Sequence, residues 1–423
     1  LTIGTLAPVV TQDLRALGAR VASASKLLAR AESATRAAGI ERAAASLRAA
    51  KAEILTANEA DLDAAQRAGL SRTALDRLVL DEARLEAMAS GMETVASLAD
   101  PLGHVVAEQV RPNGLRVRQV RVPLGVVGVI YENRPNVTSD VAGLCWRSGN
   151  AAFLRGSSSA LGSNRAIVAA LQEGLAEAGL PADAVALVED TSHEVAVEFM
   201  RLRGLIDVLI PRGGPSLINS MLEHATVPFV LDGAGNCHLY VDRAADLEMA
   251  TSIIVNAKVQ RPGVCNAVES LVLHVEIAEE LLNRLALVMA EVRLVGDERA
   301  QRLSASVEPA SEEDFATEFL DLTASVAVVD SLEEAMAHIA HYGTGHTEGI
   351  ITSDDEAAAV FLAQVDAAAV VHNASTRFVD GSELGLGAEV GISTQKLHAR
   401  GPMGLEALTS VRWVLEGEGQ IRT

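Results

Sequence analysis

Apolar residues recur at helical spacing through the first hundred positions. Leu14, Leu17, Val21 and Leu28 fall on one face, and Leu47, Ile54 and Leu55 continue the pattern in an Ala-rich background, predicting several amphipathic helices over about 13–99. Pro101, Leu102 and Gly103 interrupt it. Over 115–122 the period changes to two after an Asn113-Gly114 turn, which predicts a hairpin arm. Arg116 and Arg118 share one face of that arm. They read either as a basic patch facing substrate or as a solvated or inter-subunit strand face that resists aggregation.

After Pro123 the pattern becomes short, continuous apolar runs at 125–130, 151–154, 184–188, 205–210 and 227–231, separated by segments of helical spacing such as 163–178. A second series follows Cys265, with apolar runs at 326–329, 348–351 and 368–371 and helical segments at 331–341 and 354–365. Apolar strands alternating with helices imply parallel sheets covered on both faces. The predicted fold class is therefore α/β, with two parallel-sheet α/β units, a helical N-terminus and a small hairpin arm. No internal repeat or long linker separates the units.

At 423 residues and 49% hydrophobic content the chain exceeds the size of a single core, so two or more domains are expected. The formal net charge of -21 opposes attraction to phosphate backbones and excludes nucleic acid as an expected partner. It also means that an anionic small substrate needs a local pocket of Arg and Lys. No run approaches a membrane span, and the opening residues 1–5 lack the cationic-then-apolar pattern of an export leader. Three cysteines, Cys145, Cys237 and Cys265, form no disulfide framework and no zinc spacing, which points to a reducing, cytoplasmic setting.

Cys265 is the candidate nucleophile. It follows Gly263 and Val264, precedes an apolar run at 271–273, and has Lys258 and Arg261 close in sequence. A free thiol ionises near pKa ~8.5, and neighbouring positive charge or a helix N-terminus lowers that value. The alternative is a buried structural thiol. Cys145 reads as helix packing, and Cys237 has no cation beside it.

Four other segments carry candidate chemistry. Arg212, Gly213 and Gly214 join an apolar run to a helix, a geometry that presents backbone N–H groups to a dinucleotide pyrophosphate, although a tight turn uses the same residues. Arg155, followed by Ser157, Ser158 and Ser159, suits either the ribose phosphate of NADP or a helix-capping loop. Asn136 follows an apolar run, so its amide can donate to an oxyanion or simply cap a turn. Arg377, in the segment 373–378, reads as the cationic pocket or as a surface ion pair. His338, His341 and His346 suggest a metal, but no carboxylate or cysteine completes the ligand set, so no metal is expected.

In this order, the segments 131–138, 210–214, 256–262 with Cys265 and Asn266, 373–378 and 393–408 resemble the gamma-glutamyl phosphate reductase branch of the aldehyde dehydrogenase superfamily almost end to end. The resemblance implies an aldehyde-dehydrogenase-like arrangement. A cofactor-binding domain spans 1–231 and carries the hairpin arm at about 110–123. A catalytic domain with the nucleophilic cysteine spans 232–395, and a tail at 396–423 returns to the cofactor domain and an oligomerisation arm.

It also implies NADPH-dependent reduction of L-glutamyl 5-phosphate to the 5-semialdehyde and phosphate in proline biosynthesis, with a separate glutamate kinase supplying the substrate. Cys265 is then the nucleophile and Asn136 the oxyanion donor. Arg155, Ser157, Arg212, Gly213 and Gly214 hold NADP, and Glu318 contacts the nicotinamide ribose. Lys258, Arg261 and Arg377 meet the substrate's anionic groups. A homo-oligomer is expected. Aldehyde oxidisers of the superfamily carry a glutamate that activates water, where this chain has Asp232, one methylene shorter. Loss of that base favours reduction of an acyl phosphate over the alternative, a hydrolytic aldehyde dehydrogenase acting on a related semialdehyde. A non-catalytic binding protein on this fold would be expected to lose the thiol.

Overall fold

The structure, a computed structural model, describes residues 13–231 and 233–422; the opening stretch read for a leader and Asp232 lie outside them. The described chain forms two compact units. One runs up to Leu231 and regains Leu386–Val390 and the stretch from Met403 onward; the other runs up to Gly385 and includes Gly391–Pro402.

The first unit opens with helices whose starts are written in the sequence. Asp13 caps Leu14–Leu28 by accepting from the Ala16 N–H, Ser71 caps Arg72–Leu78 and Asp81 caps Glu82–Ser97. Leu14, Leu17, Val21 and Leu28 are buried along one stripe, as their spacing requires. Helices Ser33–Ala49 and Leu161–Glu177 approach so closely that a Cβ on Gly174 would lie 2.4 Å from Ala43 backbone atoms. Only glycine fits that crossing.

These helices cover a four-stranded parallel sheet in the order Val185–Leu187, Ala151–Arg155, Val126–Tyr131, Val208–Arg212. The apolar run at 227–231 does not become a strand of it. Pro228 lacks an N–H, and the run makes only an isolated bridge between Phe229 and Leu209. The arm is an antiparallel sheet in which Arg116–Pro123 lies between Val105–Val110 and the C-terminal strand Thr409–Glu416. Arg116 pairs with Glu108 and Arg118 with Glu416, so both belong to the solvated arm.

The second unit contains a parallel sheet of seven described strands. Their order is Val307–Pro309, Arg293–Gly296, Thr323–Val329, Val268–His274, Cys237–Val241, Thr347–Ile351, Ala369–His372. Its central strands are buried throughout, which explains their near-continuous apolar sequence. After the excursion at Leu386–Val390 the chain rejoins the first unit for good at Met403 rather than at 396, because Ile392–Ser393 pairs antiparallel with Gly401–Pro402 inside the second unit.

Candidate active site

Cys265 lies in the turn between helix Leu247–Val259 and strand Val268–His274, partly exposed, whereas Cys145 and Cys237 are buried. The preceding element is a helix C-terminus and the following one a strand. The dipole of the adjoining helix therefore has the wrong sign to stabilise a thiolate, so that helix does not give the help expected of a helix end. Any stabilisation has to come from side chains and N–H groups.

The turn is fixed from two sides. On one side the 233–237 segment passes against it: a Cβ on Gly235 would fall 1.6 Å from the Cys265 carbonyl oxygen, and the Cys237 thiol donates to that same oxygen at 3.1 Å. The Gly235 N–H donates to Glu318 Oε1 at 2.9 Å, so Glu318 and the Cys265 backbone both meet one glycine. The Asn236 amide donates to the carbonyls of Phe315 and Tyr342, stitching the same segment down.

On the other side, Thr376 Oγ1 donates to the Asn266 carbonyl at 2.7 Å and the Asn266 amide donates to the Val379 carbonyl at 2.9 Å. These bonds seat the short 3₁₀ turn Thr376–Phe378, and with it Arg377, on the residue next to the nucleophile. Burial lowers the affinity of the Arg377 guanidinium for its proton. Asp380 opposes this, Arg261 adds to it, and Cys265 also acts on Arg377, which puts all three within electrostatic reach. Arg261 is exposed beside the turn.

Lys258 departs from expectation. It is fully buried, and its ammonium is held by Glu269 at 2.6 Å, so it is not an open cation awaiting phosphate. Burial pushes the Glu269 carboxyl above the usual carboxylate range and Lys258 pulls it back. The other Glu269 oxygen accepts from the Leu320 N–H at 3.3 Å, two residues beyond Glu318. Leu320 adopts a left-handed φ of 56°, and this bond helps to hold it there.

In the first unit, Arg212 ends its strand and Gly214 caps helix Pro215–His224. The Gly214 N–H donates to Glu132 Oε2 at 3.2 Å, so the donor expected to meet a phosphate oxygen already holds a carboxylate. A phosphate at this N–H would have to displace the Glu132 carboxylate. Arg155 is half-buried and donates to the carbonyls of Thr191 and Ser192, while Ser157 bonds both Asn133 and Ser159. Asn136 begins helix Asn136–Arg147, exposed, and gives one amide hydrogen to Asp140 at 2.9 Å.

Among the described residues no three His, Cys, Asp or Glu groups gather as a metal site, and no helix is long and apolar enough to cross a membrane. The sequence reading missed Gly235 and Asp140, and it included Asn266 and Thr376 in its segments without seeing that they bond to each other. Only Gly235 carried a signal, as one of two glycines just before a buried strand.

A parallel-sheet unit bearing a partly exposed cysteine between a glycine segment and an arginine turn places a nucleophile beside a cation. The model of the aldehyde dehydrogenase family matches residues 3–322, and the chain belongs to that family. Within it, the gamma-glutamyl phosphate reductase of Heliobacterium modesticaldum is 51% identical over 98% of this chain and 100% of its own length. That of Clostridium beijerinckii is 54% identical over 88% of this chain and 91% of its own. The crystal structure of gamma-glutamyl phosphate reductase from Thermotoga maritima matches with a TM-score of 0.94 at 43% identity, covering 96% of this chain and 99% of that one. This chain thus falls in the gamma-glutamyl phosphate reductase branch.

Proposed function

We propose that the chain reduces L-glutamyl 5-phosphate to L-glutamate 5-semialdehyde and phosphate, with NADPH as the reductant and Cys265 as the nucleophile. The observation that carries this reading is the double clamp on the Cys265 turn, through Gly235, which bonds Glu318, and through Asn266, which seats the turn bearing Arg377. The identity to relatives of that name over nearly the whole chain supports it.

The Cys265 thiolate attacks the acyl carbonyl, the C–O bond to phosphate breaks, and the departing phosphate takes up one proton, matching the one the thiol gave up, to leave as the dianion and give a thioester. Asn136 is assigned the oxyanion. Its amide has a second hydrogen beyond the one given to Asp140. Arg377, with Arg261 beside it, offsets the negative charge of the substrate. The reduced nicotinamide, when bound, supplies a hydride. The residues that fit this cofactor are Gly213 and Gly214 at the helix start with Arg212, then Arg155 and Ser157 for the NADP phosphate, and Glu318 for the ribose. Arg155 and Ser157 would exchange some of their present protein partners for it. Lys258 acts through Glu269 rather than on substrate.

The edge strand Thr409–Glu416 exposes Val411, Trp413 and Leu415 on one face, which supports a homo-oligomer joined through the arm. A reducing, cytoplasmic setting with a separate glutamate kinase upstream completes the reading. The test is the reverse reaction, NADPH formation from semialdehyde, phosphate and NADP. Cys265→Ala activity within about tenfold of wild type would overturn the covalent route. Fast turnover without phosphate would show hydrolysis instead.

A further inference from the structure

Arg377 is held at two ends. Its backbone is fixed through Thr376 and Asn266, and its Nε donates to Gln260 Oε1 at 3.0 Å. Gln260 is itself anchored: it caps helix Leu247–Val259, its N–H donates to the Asn256 carbonyl, and its side chain reaches out exposed. Among the described residues no carboxylate forms an ion pair with Arg377; Asp380 and Glu383 act on it only across space.

A glutamine is a telling holder for such a group. A carboxylate in its place would orient the guanidinium equally well but would cancel its charge. A neutral carbonyl oxygen at Nε fixes the plane of the fork and leaves the charge and the outer Nη edge for an incoming oxyanion, which that edge meets bidentately. We propose that Gln260 is a positioning residue that sets the direction and the free charge of Arg377. It thereby tunes the affinity for an acyl phosphate that carries a further anionic group. The proposal rests on the substrate reading above and adds to it a residue that touches no reacting atom.

The experiment uses the full chain in the reverse reaction, with separate KM values for phosphate and for the semialdehyde, whose carboxylate is the other possible partner. Gln260→Ala raises one of these KM values about fivefold to tenfold while kcat changes less than about threefold, because only the aim of Arg377 is lost. Gln260→Glu raises the same KM by about thirtyfold or more, since an ion pair now occupies the guanidinium. Arg377→Ala raises that KM too, and adding Gln260→Ala to it has no further effect.

Which KM moves identifies the anion. Both Gln260 variants within about twofold of wild type in both KM values would overturn the positioning role. So would an equal effect of Gln260→Ala with and without Arg377. If Arg377→Ala itself left both KM values unchanged, the assignment of Arg377 to a substrate anion would fall, and this inference with it.

Discussion

Thr376 and Asn266 lie 110 residues apart in sequence, yet the hydroxyl of one donates to the carbonyl of the other at 2.7 Å in a fully buried contact. That bond couples the turn bearing Arg377 to the turn bearing Cys265. Thr376→Val keeps the shape and removes the donor, leaving the Asn266 carbonyl buried without this partner. The expected result is a loss of about 1–3 kcal/mol in unfolding free energy. A drop of about tenfold to a hundredfold in kcat/KM should accompany it, since small misplacements of reacting groups are costly. Urea denaturation and steady-state kinetics on the same variant check both. Unchanged kinetics with lowered stability would show that the bond is structural only.

Gly235→Ala should be among the most damaging single-methyl additions in the chain. The new Cβ would meet the Cys265 carbonyl oxygen at 1.6 Å and carbonyl carbon at 2.4 Å, and backbone has little room to yield. The nucleophile turn must move, and the Gly235 N–H that meets Glu318 moves with it. A fall of about a hundredfold or more in kcat is expected, together with slower alkylation of Cys265 by iodoacetamide. Alkylation at the wild-type rate would contradict the displacement.

Lys258→Met tests whether Lys258 serves Glu269 or substrate. Breaking the buried pair leaves a carboxylate without its cation, at a cost of about 3–5 kcal/mol in denaturant unfolding. Lys258→Met with Glu269→Leu should recover most of that loss. In the recovered double variant, the KM for phosphate should stay within about threefold of wild type. A rise matching that of Arg377→Ala would return Lys258 to the substrate.

Asp140 gives a pH signature. Burial pushes its carboxyl up to about 6, against the Asn136 amide, Arg212 and Ser139, which pull it down. A carboxyl with a raised folded pKa holds its proton more tightly in the folded state between the ordinary ~3.9 and that value, so its contribution to stability falls as pH rises through this window. Asp140→Asn should therefore gain stability relative to wild type between about pH 4 and 6 and hold that gain above it. Ionised Asp140 is also the stronger acceptor for the Asn136 amide. The wild-type kcat/KM should accordingly climb through a limb near pH 6 that Asp140→Asn lacks. Persistence of that limb in Asp140→Asn would assign it elsewhere.

Most of the architecture was legible because single-period patterns dominate it. The stripe of Leu14, Leu17, Val21 and Leu28 and the runs at 125–130 and 151–154 leave few other ways to bury apolar surface. The run at 227–231 misled because composition outweighed Pro228, whose missing N–H prevents a full ladder. At the site, Cys265 and Arg377 stood out through residue type and turn context. Lys258 looked the same as Arg261 in sequence. What separates them is helical phase: Lys258 still lies on the inward face of its helix opposite Glu269, while Arg261 is past the helix end. Gln260, Asn266 and Thr376 carry no signal in isolation, since their role consists of hydrogen bonds that exist only once distant segments meet.

The arm also sets an order of events. Its middle strand, Arg116–Pro123, takes one neighbour from Val105–Val110 and the other from Thr409–Glu416. During synthesis the first pairing is available early, but the second must wait until residues 409–416 have left the ribosome. For that interval Arg116–Pro123 presents an edge without its partner strand, and charged side chains along such an edge oppose its pairing with another chain. Truncation within the last strand would make that interval permanent, so such chains should aggregate even with every residue of the thiol site intact.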